Sequence, residues 1–175
     1  MILSDHAIRE AIDTGDIVIE PFDASRLGTN SYDVRLGKTL ATYDNPTLDA
    51  REHNKVTMFE IAEEGIILNP GTVYLGVTEE YTETHRHVPF LEGKSSIGRL
   101  GIDIHATAGK GDVGFCNHGT LEISVAQPVR VYHLMPIGQL IYFEVSGDVD
   151  TLYSTKKSAK YNHRSPLPME SMMWK

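Results

Sequence analysis

Ten short runs rich in Val, Ile, Thr and Tyr, strung between residues 17 and 145 with turn residues between them, limit what this chain can fold into more than any other feature. They fall at 17–19, 32–36, 57–61, 65–68, 72–78, 88–91, 102–105, 120–126, 129–132 and 139–145. Pro21 and Gly37 close the first two, and Asn69-Pro70-Gly71 and Ser146-Gly147-Asp148 punctuate the later ones. Such spacing predicts a mainly β fold, a sandwich, jelly roll or barrel, and not alternating βαβ units. One short helix precedes the strands. Ser4 or Asp5 can cap it, Ala7, Ile8, Ala11 and Ile12 recur at helical spacing, and Gly15 supplies a stop.

A chain of 175 residues fits one domain, and 41% hydrophobic with 23% charged residues is ordinary globular usage, so folding is expected nearly throughout. Cys116 is the only cysteine, which leaves no intrachain disulfide and no multi-cysteine zinc cluster and fits a reducing cytoplasm. The start, Met-Ile-Leu-Ser-Asp-His, lacks the pattern of a signal peptide, and no apolar run is long enough to cross a bilayer. No membrane association is expected. A net charge of −8 argues against nucleic acid as a partner, although a few cations in a pocket can still hold a small anion. From Tyr153 onward the periodicity stops, and Lys156, Lys157, Lys160 and Arg164 alternate with Tyr161, Pro166 and Pro168. A segment of that kind either frays or orders over a ligand.

Three stretches can carry chemistry. Glu92-Gly93-Lys94-Ser95-Ser96-Ile97-Gly98-Arg99-Leu100-Gly101 gathers two cations, two hydroxyls and three glycines, a combination suited to phosphate, although an ordinary loop with a basic edge also reads this way. It lacks the spacing of a P-loop. The stretch from Ile102 to Phe115 is dominated by small residues in its middle, which leaves room for a flat ring. Within it Asp112 can accept from a sugar hydroxyl or simply bond its own turn. In Thr120-Leu121-Glu122-Ile123-Ser124-Val125 strict alternation puts Glu122 on the less apolar face. It is either a solvated surface carboxylate or, where that face lines a pocket, an acid and base usable near neutrality. His85-Arg86-His87 would put two imidazoles on one side of a strand, but no third ligand follows from the spacing, and the His-x-Glu and Pro-Cys-x-x-Cys elements of a zinc deaminase are missing.

In order, these segments resemble the dCTP deaminase family, which shares a structural superfamily with the trimeric dUTPases. The resemblance runs through Met1-Ile2-Leu3-Ser4-Asp5, Asn30-Ser31-Tyr32-Asp33-Val34-Arg35-Leu36-Gly37, the basic block, the 105–115 segment, Thr120-Leu121-Glu122, Pro136-Ile137-Gly138-Gln139-Leu140 and Ala159-Lys160-Tyr161. It implies a distorted jelly roll or β-barrel of the dUTPase-like type. It also implies Glu122 as the catalytic carboxylate, with Ser95, Arg99 and the Ala108 backbone beside it and the reacting water. Lys94, Ser95 and Ser96 would bind phosphate oxygens, Asp112 the deoxyribose, and Gln139, Tyr153, Lys157, Lys160 and Tyr161 would complete the nucleotide site, with 153–175 closing over the triphosphate. Two departures stand out: Val113 where the family usually has proline, and Asn162 where many members have glutamine.

The activity so implied is hydrolytic deamination of dCTP to dUTP and ammonia without zinc, Mg²⁺ arriving with the triphosphate, in a homotrimer whose sites lie at subunit interfaces. Deamination needs one carboxylate and a water at C4. Cleaving the anhydride as well needs a second water, and no second carboxylate in these segments is free for it, so intact dUTP is the expected product. The alternatives are a bifunctional enzyme giving dUMP and pyrophosphate, an enzyme acting on dUTP alone, and a nucleotide-sensing module without catalysis.

Overall fold

Ser4 caps the N-terminal helix as its sequence suggests: its hydroxyl accepts from the Ala7 N–H at 3.3 Å, and Gly15, at a φ of 78°, turns the chain away. The computed structural model covers residues 1–175. In chain order it contains helix α1 (Asp5–Asp13) and strands β1 (Ile17–Glu20), β2 (Tyr32–Arg35), β3 (Thr39–Tyr43), β4 (Val56–Glu60), β5 (Ile66–Leu68), β6 (Tyr74–Thr84) and β7 (His87–Gly93). The one-turn helix α2 (Ser95–Gly98) follows, then β8 (Ile102–Asp103), β9 (Cys116–Val125), β10 (Val129–Val131) and β11 (Pro136–Glu144). Short 3₁₀ turns occupy Ala24–Arg26 and Tyr153–Thr155.

All strand pairs are antiparallel and form three sheets. The largest runs β4-β3-β6-β9-β8 with β1 also on β6, a second is β2-β11-β7, and β10 pairs with β5. The mainly β fold with few helices is therefore present, although hydrogen bonding does not close the sheets into one barrel. On β9, Leu121, Ile123 and Val125 turn inward, as alternation requires, into the core cluster that also holds Leu36, Leu40, Ile137 and Leu140. Glu122, on the other parity, is left half-exposed.

The structure departs from the sequence reading at several strands. β3 was not anticipated, because its consecutive buried residues Leu40 and Ala41 break the period of two. β6 runs on to Thr84 where a strand ending at Thr78 was expected. Its Glu79-Glu80 pair reads as polar, yet Glu80 is wholly buried, with Arg35 donating to it through Nε at 2.7 Å and through its backbone N–H at 2.8 Å. A register shift between Val77 and Tyr81 is bridged by Thr78, whose hydroxyl donates to Glu80 O at 2.9 Å and accepts from the Gly119 N–H at 2.8 Å. β9 begins at Cys116, earlier than expected, while β8 is only two residues long. Finally, His85 and His87 do not share a strand: β6 ends at Thr84, and His85 and Arg86 form the turn into β7.

Candidate functional site

β9 presents Glu122 to a cleft of about 610 Å³ whose opposite wall is the loop joining β8 to β9. That loop is stitched to β7. The Leu91 N–H donates to Gly109 O at 2.7 Å, the Gly111 N–H donates to Pro89 O at 2.8 Å, and Phe90 bridges to Lys110. The approach is close enough to demand glycine at 109, where a Cβ would stand 2.5 Å from Leu91 O. Ala108 and Asp112 line the cleft as a result, and the small residues leave the room that the sequence suggested.

Glu122 is held from behind. Its Oε2 pairs with Nδ1 of His105, and its N–H donates to Ile104 O at 2.9 Å. The His105 side chain is 9% exposed against 43% for Glu122, so a nearly buried imidazole fixes a carboxylate whose other face is open to the cleft. Asp112 pairs with Lys110 at 2.6 Å, and its carbonyl accepts from the Phe115 N–H at 3.1 Å. The turn Asp112-Val113-Gly114-Phe115 thus has Gly114 at a φ of 89° in its third position, the arrangement of a type II turn, with Val113 where proline is favoured.

The basic block opens elsewhere. Lys94 and Ser95 line a second depression of about 450 Å³, which shares Leu91, His105, Ala106, Thr107 and Gly109 with the first as a common wall. Ser95 begins α2, Arg99 caps its C-terminus, and Ser95, Ser96 and Arg99 are all exposed. Lys94 is paired with Asp33 of β2. Gln139 lies on the same side, its Nε2 donating to Gly93 O at 3.3 Å. One chain therefore brings Glu122, Ala108 and Asp112 together but does not bring Ser95, Ser96, Arg99 or Lys94 to the Glu122 cleft.

The segment after residue 150 lies along the Glu122 cleft. Tyr153 and Tyr161 line it, whereas Lys157 and Lys160 do not, and Asn162 is exposed. The Tyr153 N–H donates to Val113 O at 2.8 Å, and its ring packs on Phe115. Asn117, which the sequence reading did not single out, is the main anchor. It is 1% exposed, donates to His163 O at 2.8 Å and, more weakly, to Tyr161 O at 3.4 Å, and accepts from the Ser165 N–H at 2.8 Å. Thr120, Tyr43 and Tyr161 hold the stretch beyond it by accepting from the N–H groups of Met169, Ser171 and Met172. From sequence, His105 reads only as the end of the 102–105 run and the start of the 105–115 segment. Its pairing with Glu122 crosses 17 positions of sequence and leaves no local signal.

The family model for dCTP deaminase-like proteins matches residues 2–145. Among curated proteins, the chain is 48% identical over 175 residues to a dUMP-forming dCTP deaminase of Cytophaga hutchinsonii, covering all of this chain and 98% of that protein. It is 46% identical to the protein of the same name from Clostridium acetobutylicum, with the same coverage. A third, from Leptospira biflexa, is 48% identical over 92% of this chain and 90% of its own length. Among solved structures, 2′-deoxycytidine 5′-triphosphate deaminase of Agrobacterium tumefaciens has a TM-score of 0.63 at 23% identity over 81% of this chain, which spans 47% of that one and so supports the fold. No helix here is long and apolar enough to cross a membrane. With its family match running from the first strand to the last, and relatives of this identity aligned from end to end, the chain belongs to the dCTP deaminase family.

Proposed function

We propose that this chain hydrolyses dCTP at C4, with Glu122 as a zinc-independent general acid and base, and then cleaves the uracil nucleotide to dUMP and pyrophosphate. The observation that carries the first half is the position of Glu122 at the cleft, backed by the nearly buried His105 and facing the 105–112 loop. In the first step Glu122 takes a proton from water, and the hydroxide adds to C4. That proton goes to N3 and stays there; Glu122 then takes the proton of the new C4 hydroxyl and passes it to the amine, which leaves as ammonia as the C4 carbonyl forms. His105 is a positioning residue that keeps one carboxylate oxygen engaged and the other turned to the water. Backbone dipoles near Ala108 face the tetrahedral adduct.

The second half rests on the relatives, whose names specify dUMP as the product across the full length of the chain. It reverses the preference for dUTP drawn from the sequence. That preference was an argument from a missing second carboxylate, and one glutamate can activate two waters in succession. Zinc independence rests on composition: a single cysteine cannot supply the cysteine pair that a zinc deaminase uses. Mg²⁺ comes as part of the substrate, bound to phosphates.

The separation of Ser95 and Arg99 from the Glu122 cleft supports a homotrimer in which a neighbour's basic block completes the site, with Lys94, Ser95 and Ser96 on the phosphates. Tyr153, Tyr161, Lys157 and Lys160 then close over the nucleotide from the tail. The test is incubation of chelator-dialysed protein with dCTP and Mg²⁺, followed by phosphorus NMR and ammonia assay. Equal amounts of ammonia and pyrophosphate are expected with Mg²⁺ alone. Accumulating dUTP would reverse the second half of the reading, and recovery only on adding Zn²⁺ would reverse the mechanism.

A further inference from the structure

The far end of the β6–β9 ladder gathers three side chains of a different chemistry. Glu83 of β6 and Cys116 of β9 are cross-strand partners, and His85 follows in the turn. His85 Nε2 stands 2.8 Å from Glu83 Oε2, and one ligand atom from each of the three residues lies within 4.8 Å of the others. A tetrahedral zinc ion, with bonds of about 2.0–2.3 Å, holds its ligand atoms roughly 3.3–3.7 Å apart. Small side-chain rotations therefore suffice. The direct His85–Glu83 hydrogen bond opens slightly, and the thiol swings in.

The surroundings suit an ion. The Tyr81 hydroxyl donates to Glu83 Oε1 at 2.7 Å, which leaves Oε2 turned toward the cluster, and the Arg164 guanidinium lies 3.7 Å over the Tyr81 ring. Outer hydrogen bonds of this kind are how metal-binding carboxylates are fixed. Sulfur, imidazole and one carboxylate oxygen form a donor set for zinc-class ions, whereas Mg²⁺ and Ca²⁺ take oxygen alone. Thiolate and carboxylate together balance a divalent charge.

We propose that Glu83, His85 and Cys116 form a binding site for one zinc-class divalent cation, with a fourth position for water. The sequence offered two histidines here without a third ligand; the fold supplies the others from β6 and β9. On binding, the Cys116 S–H bond breaks, sulfur bonds to the metal, and the proton leaves to solvent. In the free chain burial, followed by the charge of Glu83, holds that thiol above its ordinary range. Cys116 and Glu122 are six residues apart on β9, roughly 20 Å of strand. The ion therefore takes no part in deamination. It ties β6 to β9 beside Phe115, the ring on which Tyr153 packs at the root of the tail.

Cobalt(II) titration of the chelator-stripped full chain tests the site. One equivalent should bind with a thiolate-to-cobalt charge-transfer band and tetrahedral visible bands, both lost on adding zinc. Cys116→Ser should abolish the charge-transfer band, and calorimetry should show zinc affinity reduced by about 10²-fold or more in it and in His85→Ala. His85 is a turn residue with a 38% exposed side chain, so its variant keeps the test open if Cys116→Ser misfolds. Absence of a charge-transfer band in the unaltered chain, or zinc bound as tightly by both folded variants, would overturn the proposal.

Discussion

Replacing Asn117 with alanine should loosen the tail without loosening the sheet. The side chain makes two short bonds to the tail, donating to His163 O and accepting from the Ser165 N–H, each 2.8 Å long, while its longer contacts with Tyr161 O at 3.4 Å and Met169 Sδ at 3.8 Å contribute little. At about 1 kcal/mol net for each short bond, their loss removes ~2 kcal/mol from tail docking. That corresponds to roughly a 30-fold rise in the population of the locally open state. The anchors beyond, on Thr120 and Tyr43, are untouched, so opening should stay local. Amide exchange followed by mass spectrometry should quicken by about 30-fold across residues 161–165, with β6 and β9 protected as before. If the nucleotide is covered by the same docked segment, KM for dCTP rises more than kcat falls. Unchanged exchange at 161–165, or equal quickening throughout β9, would refute the assignment of Asn117 as the tail's anchor.

Glu122→Gln keeps an oxygen to accept from His105 but cannot carry a proton, so ammonia release should drop by at least ~10²-fold while nucleotide binding, measured by calorimetry, persists. Val113→Pro should raise stability by ~0.4–1 kcal/mol in denaturant unfolding, because its N–H makes no backbone hydrogen bond and its turn position favours proline; a loss would show the turn needs valine's freedom. Arg35→Met should cost ~3–5 kcal/mol by leaving Glu80 buried and unpaired, and Arg35→Met with Glu80→Gln should be more stable than Arg35→Met alone. Burial, the leading cause, holds the His87 imidazole below its ordinary value of 6.5, and its Nδ1 is buried without a hydrogen-bond partner. Below that pH the unfolded chain takes up a proton that the folded chain refuses, so stability should fall from about pH 6.5 down to the depressed folded value, and His87→Gln should flatten that fall in unfolding curves.

Where a residue's role depended on its neighbours in sequence, the sequence disclosed it. The Ser4 cap, the Gly15 stop and the alternation that sends Leu121 inward and Glu122 outward are all written within one turn of helix or a few residues of strand. Roles that depend on distant partners were not legible. Glu80 looks like a surface residue until Arg35 is beside it, and Asn117 looks like any strand polar residue until the tail reaches it. β3 escaped because burial on both faces erases alternation, and its Thr39-Leu40-Ala41-Thr42-Tyr43 holds neither Val nor Ile. For the candidate site, family resemblance supplied residue names, and the fold put Glu122, Ala108, Asp112, Tyr153 and Tyr161 in one depression and Lys94 and Ser95 in another, a division that no local pattern encodes.

The buried Arg35–Glu80 pair also bears on how this protein can change over generations. Loss of Arg35 strands the Glu80 carboxylate in the interior, and loss of Glu80 leaves a guanidinium only 15% exposed without its counter-charge; a domain that is stable by only ~5–15 kcal/mol seldom survives such a loss and stays abundant. The two positions are thus inherited as one unit. Lineages can retain the pair or exchange both members for neutral ones, but descendants holding only half of it should be scarce. In a broad set of related sequences, residues 35 and 80 should vary in step although 45 positions separate them.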